Sequence, residues 1–261
     1  MVQTQNKPVI SVINYLNSMP FIYGFDKYGI DRYATINKNV PAQIAECLIN
    51  GSADIGLVPV AALPFLPDHR IVSQYCISAE REVDSVILVA DVPIRHIETV
   101  YLDPDSRTSV QLVKILAREK WKISPEWLPL HEGDPANKAS AVLAIGDKAF
   151  QFAARHQYVT DLAREWFDLT GLPFVFAVWA GKRNLPESFL NHFNDSLTLG
   201  IEQLESVVKE LKSDPRFRKD VDVGHYLTKR INYSFNERKK EAILRFLELA
   251  GHHAHKVSLM F

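Results

Sequence analysis

Asn17 and Ser18, within the run Tyr15-Leu-Asn-Ser-Met-Pro20, follow an alternating apolar strand and precede a helix start marked by Pro20. An amide and a hydroxyl at a strand's end point donors and acceptors into the crevice where open α/β sheets hold ligands. They suit the orientation of a small polar molecule. The same residue types favour turns and helix starts on backbone grounds alone, so a plain turn cap stands beside the ligand-binding alternative. Tyr15 joins them as a candidate at the same strand end.

A second polar group falls at Ser106, Arg107, Thr108 and Ser109, where Thr108 and Gln111 have the spacing of a capping box. Hydroxyls, free N–H groups and the positive end of the helix dipole can hold a carboxylate there. A capped helix without a ligand is the alternative. Ser85 opens an apolar strand. Asp147, in Ile145-Gly-Asp147, ends another and can accept a proton, bind a substrate hydroxyl or cap a helix starting at Lys148.

His252, His253 and His255 form a histidine-rich tail without spaced cysteine or carboxylate partners, which reads as solvated chain rather than a metal site. No phosphate-binding glycine loop, dinucleotide fingerprint or Cys-X-X-Cys occurs, and Gly24 and Gly29 read as turn glycines. Redox and phosphoryl-transfer chemistry therefore recede, and no cofactor is expected.

These groups must be positioned by strands and helices of ordinary globular composition. The 261 residues are 47% hydrophobic and 10% aromatic, enough for a large core. Thirty Lys and Arg against thirty-one Asp and Glu leave a formal net charge of −1, which suggests neither a nucleic-acid nor a membrane-surface partner. Cys47 and Cys76 read as free thiols. The first residues carry no secretion signal and no stretch is long enough to span a bilayer, so a cytoplasmic protein is expected.

Strands are expected at 9–15, 53–60, 71–77, 85–90, 99–102, 141–145 and 174–179. Helices are expected at 41–50 and 108–121, over a stripe from Leu190 to Leu211, and from a Ser234/Glu237 capping box to Gly251. This pattern predicts an α/β chain with two lobes. The first is discontinuous, 1–90 with 179–261, and the second, 91–178, is inserted, so the chain crosses near 90 and 178. A cleft for a small ligand lies between them.

Six segments together resemble the chorismate dehydratase family of the futalosine route to menaquinone. They are Tyr15-Leu-Asn-Ser-Met-Pro20, Ala53-Asp-Ile-Gly-Leu-Val-Pro59, Asp84-Ser-Val-Ile-Leu88, Asp105-Ser-Arg-Thr-Ser-Val110, Ile145-Gly-Asp-Lys-Ala149 and Thr170-Gly-Leu-Pro-Phe-Val-Phe-Ala-Val-Trp179. The resemblance implies a periplasmic-binding-protein type II-like fold used as an enzyme, with chorismate between the lobes. It implies that Asn17 takes part in catalysis, that Ser85 faces the cleft, and that Ser106, Thr108 and Ser109 bind substrate. Tyr15, Ser18 and Asp147 lie in the matching motifs. A small-carboxylate-binding protein without chemistry and the sister 1,4-dihydroxy-6-naphthoate synthase are the alternatives.

Overall fold

Two β-sheets with helices on their faces form the computed structural model, which describes residues 7–66, 68–131, 139–214 and 221–252. The larger sheet has the order β11-β4-β10-β3-β1-β2. Its strands are β1 (Val9–Ile13), β2 (Thr35–Asn39), β3 (Ile55–Pro59), β4 (His69–Ala79), β10 (Phe174–Lys182) and β11 (Asn232–Ser234). The smaller sheet, β7-β6-β8-β5-β9, contains β5 (Val86–Ala90), β6 (Thr99–Leu102), β7 (Glu126–Pro129), β8 (Ser140–Ile145) and β9 (Tyr158–Asp161).

In the larger sheet β1 runs parallel to β2 and β3, while β10 pairs antiparallel to β3 and β4. Helix α2 (Pro41–Ile49) carries the chain from edge strand β2 over β1 to β3, burying Ile44, Ala45 and Leu48. Helix α1 (Met19–Tyr28) and helix α6 (Glu187–Glu202) cover the same sheet. Trp179 of β10 meets Phe21, Phe25 and Phe193 edge-on at 5.5, 5.9 and 5.1 Å, anchoring both helices to it.

Gly24 lies inside α1 and is not a turn residue. A Cβ on it would sit 2.0 Å from Ser196 O, and one on Gly200 of α6 would sit 1.9 Å from Pro20 O. Two glycines thus let the helix backbones touch. Gly29 does end α1, at φ 70°.

The expected single helix through 190–211 is two, α6 and α7 (Leu204–Lys212), broken at Gln203 with φ −102° and ψ 28°. The break has a packing cause: α6 stays on α1 while α7 turns to pack against the short helix α8 (Val223–His225) and the π-helical turn Tyr226–Arg230. The last helix, α9 (Glu237–Leu249), is capped by Asn236, whose side chain accepts from Lys239 N at 3.1 Å, because Ser234 is already committed to β11.

Around the smaller sheet lie α3 (Thr108–Leu116), α4 (Asp147–Ala153) and α5 (Leu162–Thr170), and a π-helical turn, Ala117–Trp121, ends the segment expected to be helical to 121. The chain passes from the larger sheet to the smaller between Ala79 and Val86 and returns between Thr170 and Phe174. Both crossings precede the expected 90 and 178, because β5 pairs with β8 and β9, and the whole of β10 pairs with β3 and β4.

The outgoing crossing is held firmly. The Asp161 carboxylate caps α5 and also accepts from Val83 N and Asp84 N at 2.8 and 2.7 Å. Arg230 pairs with both Glu82 and Asp84. Among the described residues no helix is long and apolar enough to cross a membrane, and Cys47 and Cys76 are free.

Candidate active site

Strand ends from the two sheets face each other across a cavity of about 60 Å³. Tyr15, Asn17, Ser85, Ser106, Thr108 and Ser109 all line it, with Arg107, Gly146 and Phe176. Segments far apart in the chain therefore meet at one place. Ser18 and Asp147 do not line it; Ser18 bonds to Asn17, which does, and Asp147 to Leu16 beside it.

Leu16–Ser18 forms a single 3-10 turn between β1 and α1, with Pro20 in the first turn of α1. That turn aims the Asn17 side chain at the cavity. The fully buried Ser18 hydroxyl donates to Asn17 Oδ1 at 3.1 Å, taking one of that oxygen's two acceptor positions, so the amide N–H groups are the larger part of what Asn17 offers a ligand. Ser18 thus bonds to Asn17 and is not itself part of the cavity lining.

Asp147 is the first residue of α4 and does not cap it; the preceding Gly146 holds that place at φ 58° and ψ −145°. Its carboxylate accepts from Leu16 N at 3.1 Å, tying the smaller sheet to the turn that carries Asn17. Burial pushes its pKa above the usual carboxylate value, partly offset by that bond. A Cβ on Gly146 would meet the Tyr15 ring at 3.0 Å, so Tyr15 packs closely on a position whose backbone, at φ 58°, favours glycine.

The expected capping box at Thr108 is absent. Arg107 is the cap position and makes no side-chain cap bond, while Ser106 Oγ accepts from Ser109 N at 3.1 Å. Thr108 is drawn across the cleft instead: its hydroxyl accepts from Ala61 N and donates to Phe176 O, both at 3.3 Å. That hydroxyl joins the two sheets and is not free to hold a carboxylate. The Ser106 and Ser109 hydroxyls and the helix dipole remain for that purpose. Arg107, paired with Glu46 at 2.8 Å, is the cavity's cation.

Two tyrosines stand behind the cavity-lining residues. The buried Tyr226 donates to Ser85 Oγ at 2.7 Å, and the buried Tyr233 donates to the backbone oxygen of Asn17 at 3.1 Å. Burial drives both phenol pKa values upward, so both stay protonated donors. Alternation of Tyr233 with polar neighbours in β11 was the one available hint; Tyr226 sits on a π-helical turn that no periodicity marks.

His252 lies edge-on to Phe65, whereas His253 and His255 lie outside the described residues. Among the described residues no three His, Cys, Asp or Glu side chains group to hold a metal.

Residues 8–252 match the family model described as menaquinone biosynthesis, nearly the whole chain. The chain belongs to the menaquinone-biosynthesis family. Two curated relatives are each named chorismate dehydratase. The one from Thermus thermophilus is 30% identical over 168 residues, 56% of this chain and 61% of the relative. The one from Campylobacter jejuni is 24% identical over 249 residues, 92% of this chain and 96% of the relative. This member of the menaquinone-biosynthesis family is also similar in structure to protein AF1704 from Archaeoglobus fulgidus, at TM-score 0.74 and 14% identity over 95% of this chain and 98% of that one. The periplasmic aliphatic sulphonate binding protein SsuA from Escherichia coli matches at TM-score 0.62 and 17% identity, over 94% and 92%. The fold is therefore of the periplasmic-binding-protein type, with the cavity between its two sheets.

Proposed function

We propose that this protein is a chorismate dehydratase, a carbon–oxygen lyase that removes water from chorismate to give 3-[(1-carboxyvinyl)oxy]benzoate. One observation carries the proposal: Asn17 and the start of α3 line a single cleft cavity in a chain whose family serves menaquinone biosynthesis and whose curated relatives bear that name.

Chorismate is a dianion on a cyclohexadiene ring. Loss of a proton from the ring carbon bearing the enolpyruvyl ether, and of hydroxide from its neighbour, leaves an aromatic ring and water. Aromatisation drives the step, so the protein has to supply orientation and charge stabilisation. A neutral amide is a poor base. With its Oδ1 partly occupied by Ser18, Asn17 is suited to donate to the substrate and hold it so that the enolpyruvyl carboxylate takes the ring proton. The α3 start and Arg107 are placed to hold the other carboxylate.

A cavity of about 60 Å³ is far below the roughly 300–1,000 Å³ of ligand pockets, so substrate enters with the sheets apart. The two sheets are then two lobes, the first interrupted by the second between Ala79 and Phe174, moving about the two crossings. A cytoplasmic location goes with this reading, since the free Cys47 and Cys76 suit a reducing compartment.

Incubation with chorismate tests it: the aromatic product should accumulate, and Asn17→Asp, which replaces two N–H donors with acceptors, should lower turnover at least a hundredfold. Chorismate bound but unconverted by the native protein would mark a carboxylate-binding protein, and native-like turnover by Asn17→Asp would remove Asn17 from the mechanism.

A further inference from the structure

Ser85 is fully buried at the cavity wall, ahead of β5. Its hydroxyl oxygen receives the Tyr226 proton at 2.7 Å, and among the described residues Ser85 Oγ donates no hydrogen bond of its own. A buried hydroxyl that does not give its proton to the protein keeps a donor for whatever fills the cavity.

Direction is set by Tyr226. Were Tyr226 absent, the Ser85 proton could turn toward any neighbouring acceptor. With a phenol donating from behind, the serine oxygen is occupied on that side and its O–H turns forward. Tyr226 is itself fixed: its ring stands edge-on to Phe150 at 5.2 Å, and the Asn17 side chain is its second polar neighbour. A proton relay from Tyr226 is disfavoured, because burial and the nearby Asp147 charge both oppose a phenolate.

We propose that Tyr226 is a positioning residue for the dehydration, holding Ser85 as a one-way hydrogen-bond donor to an oxygen of the bound substrate. This rests on the chorismate dehydratase reading and adds to it a residue supplied by the C-terminal segment, which the site motifs do not contain.

Tyr226→Phe keeps the ring and its Phe150 contact and removes one hydroxyl. We expect kcat for chorismate to fall about tenfold, with KM within twofold and a melting temperature near that of the native protein. Ser85→Ala should cost at least as much. The double variant should be no slower than Ser85→Ala alone, since the part Tyr226 plays passes through Ser85; a part played through its other neighbour, Asn17, or a merely structural role would multiply the two losses. Multiplied losses, or full activity in Tyr226→Phe, overturn the proposal while leaving the activity intact. A native protein that does not convert chorismate overturns this proposal together with the reading beneath it.

Discussion

Asn17 is held on three sides: Ser18 at its side-chain oxygen, Tyr233 at its backbone oxygen and, through Leu16, the Asp147 carboxylate at the turn it sits on. Most of this support carries no charge. Asp147 is the exception, and its sign is readable. Its pKa is raised on folding, so the native state binds its proton more tightly than the unfolded chain; stability from it is fully present below the usual carboxylate value and lost as pH rises through the raised one. The ionised form is thus a cost at neutral pH. Asp147→Asn keeps an oxygen to accept from Leu16 N without the charge. Thermal melts from pH 4 to 7 should show Asp147→Asn at least as stable as the native protein at pH 7, with a flatter loss of stability as pH rises. Asp161, shifted in the same direction, preserves part of the slope. A stability drop of several degrees at pH 7 would show that the charge itself is needed. At this scale the place of Asn17, Ser85 and Ser109 on the cavity wall was legible, because small polar residues gather where strands end and helices begin, although turn and cap preferences put them there too. Tyr226 and Tyr233 were not, since a buried phenol looks like core until its partner is known.

Among the elements, β1, β3, β4, β5, β6, β8 and β10 were readable, and each lies inside its sheet. The strands that escaped, β2, β7, β9 and β11, are the four sheet edges. The reason is physical: an interior strand must be apolar on both faces, as in Val86–Ala90, whereas Thr-Ile-Asn-Lys-Asn in β2 is held by one neighbour's backbone and leaves its side chains half in water. Gly24 and Gly200 were misjudged or passed over for a similar reason, because a helix glycine that admits another helix looks like a turn glycine in one dimension. Gly200→Ala forces a methyl to within 1.9 Å of Pro20 O. That overpacking costs on the order of 3 kcal/mol, or a melting-temperature drop of roughly 6–12 °C. Gly224→Ala, whose methyl would meet Asp222 Oδ1 at 3.4 Å, serves as the control and should shift it little.

For the whole molecule, the proposed closing of the cleft rests on polar contacts across the cavity, among them Thr108 to Ala61 and Phe176, Asp147 to Leu16, and the exposed Arg107–Glu46 pair. An exposed ion pair contributes little, so the Thr108 hydroxyl matters more. Thr108→Val keeps the shape and leaves a buried N–H and a part-buried carbonyl without this partner, costing the closed form about 1–3 kcal/mol. Small-angle scattering of the ligand-free variant should show a larger radius of gyration, and KM for chorismate should rise more than kcat falls; an unchanged radius and KM would show that Thr108 does not latch the cleft. The amino-acid order by itself determined the α/β class, the interior strands and the polar motifs at their ends, because burial and local backbone preference act over a few neighbouring residues. Only the tertiary structure decided where the chain crosses between the sheets, that the Thr108 hydroxyl and the Asp147 carboxylate bond to protein groups, and that two C-terminal tyrosines stand behind the site. Each of those depends on which hydrogen-bond partner a distant segment brings near, and that partner exists only once both sheets have formed.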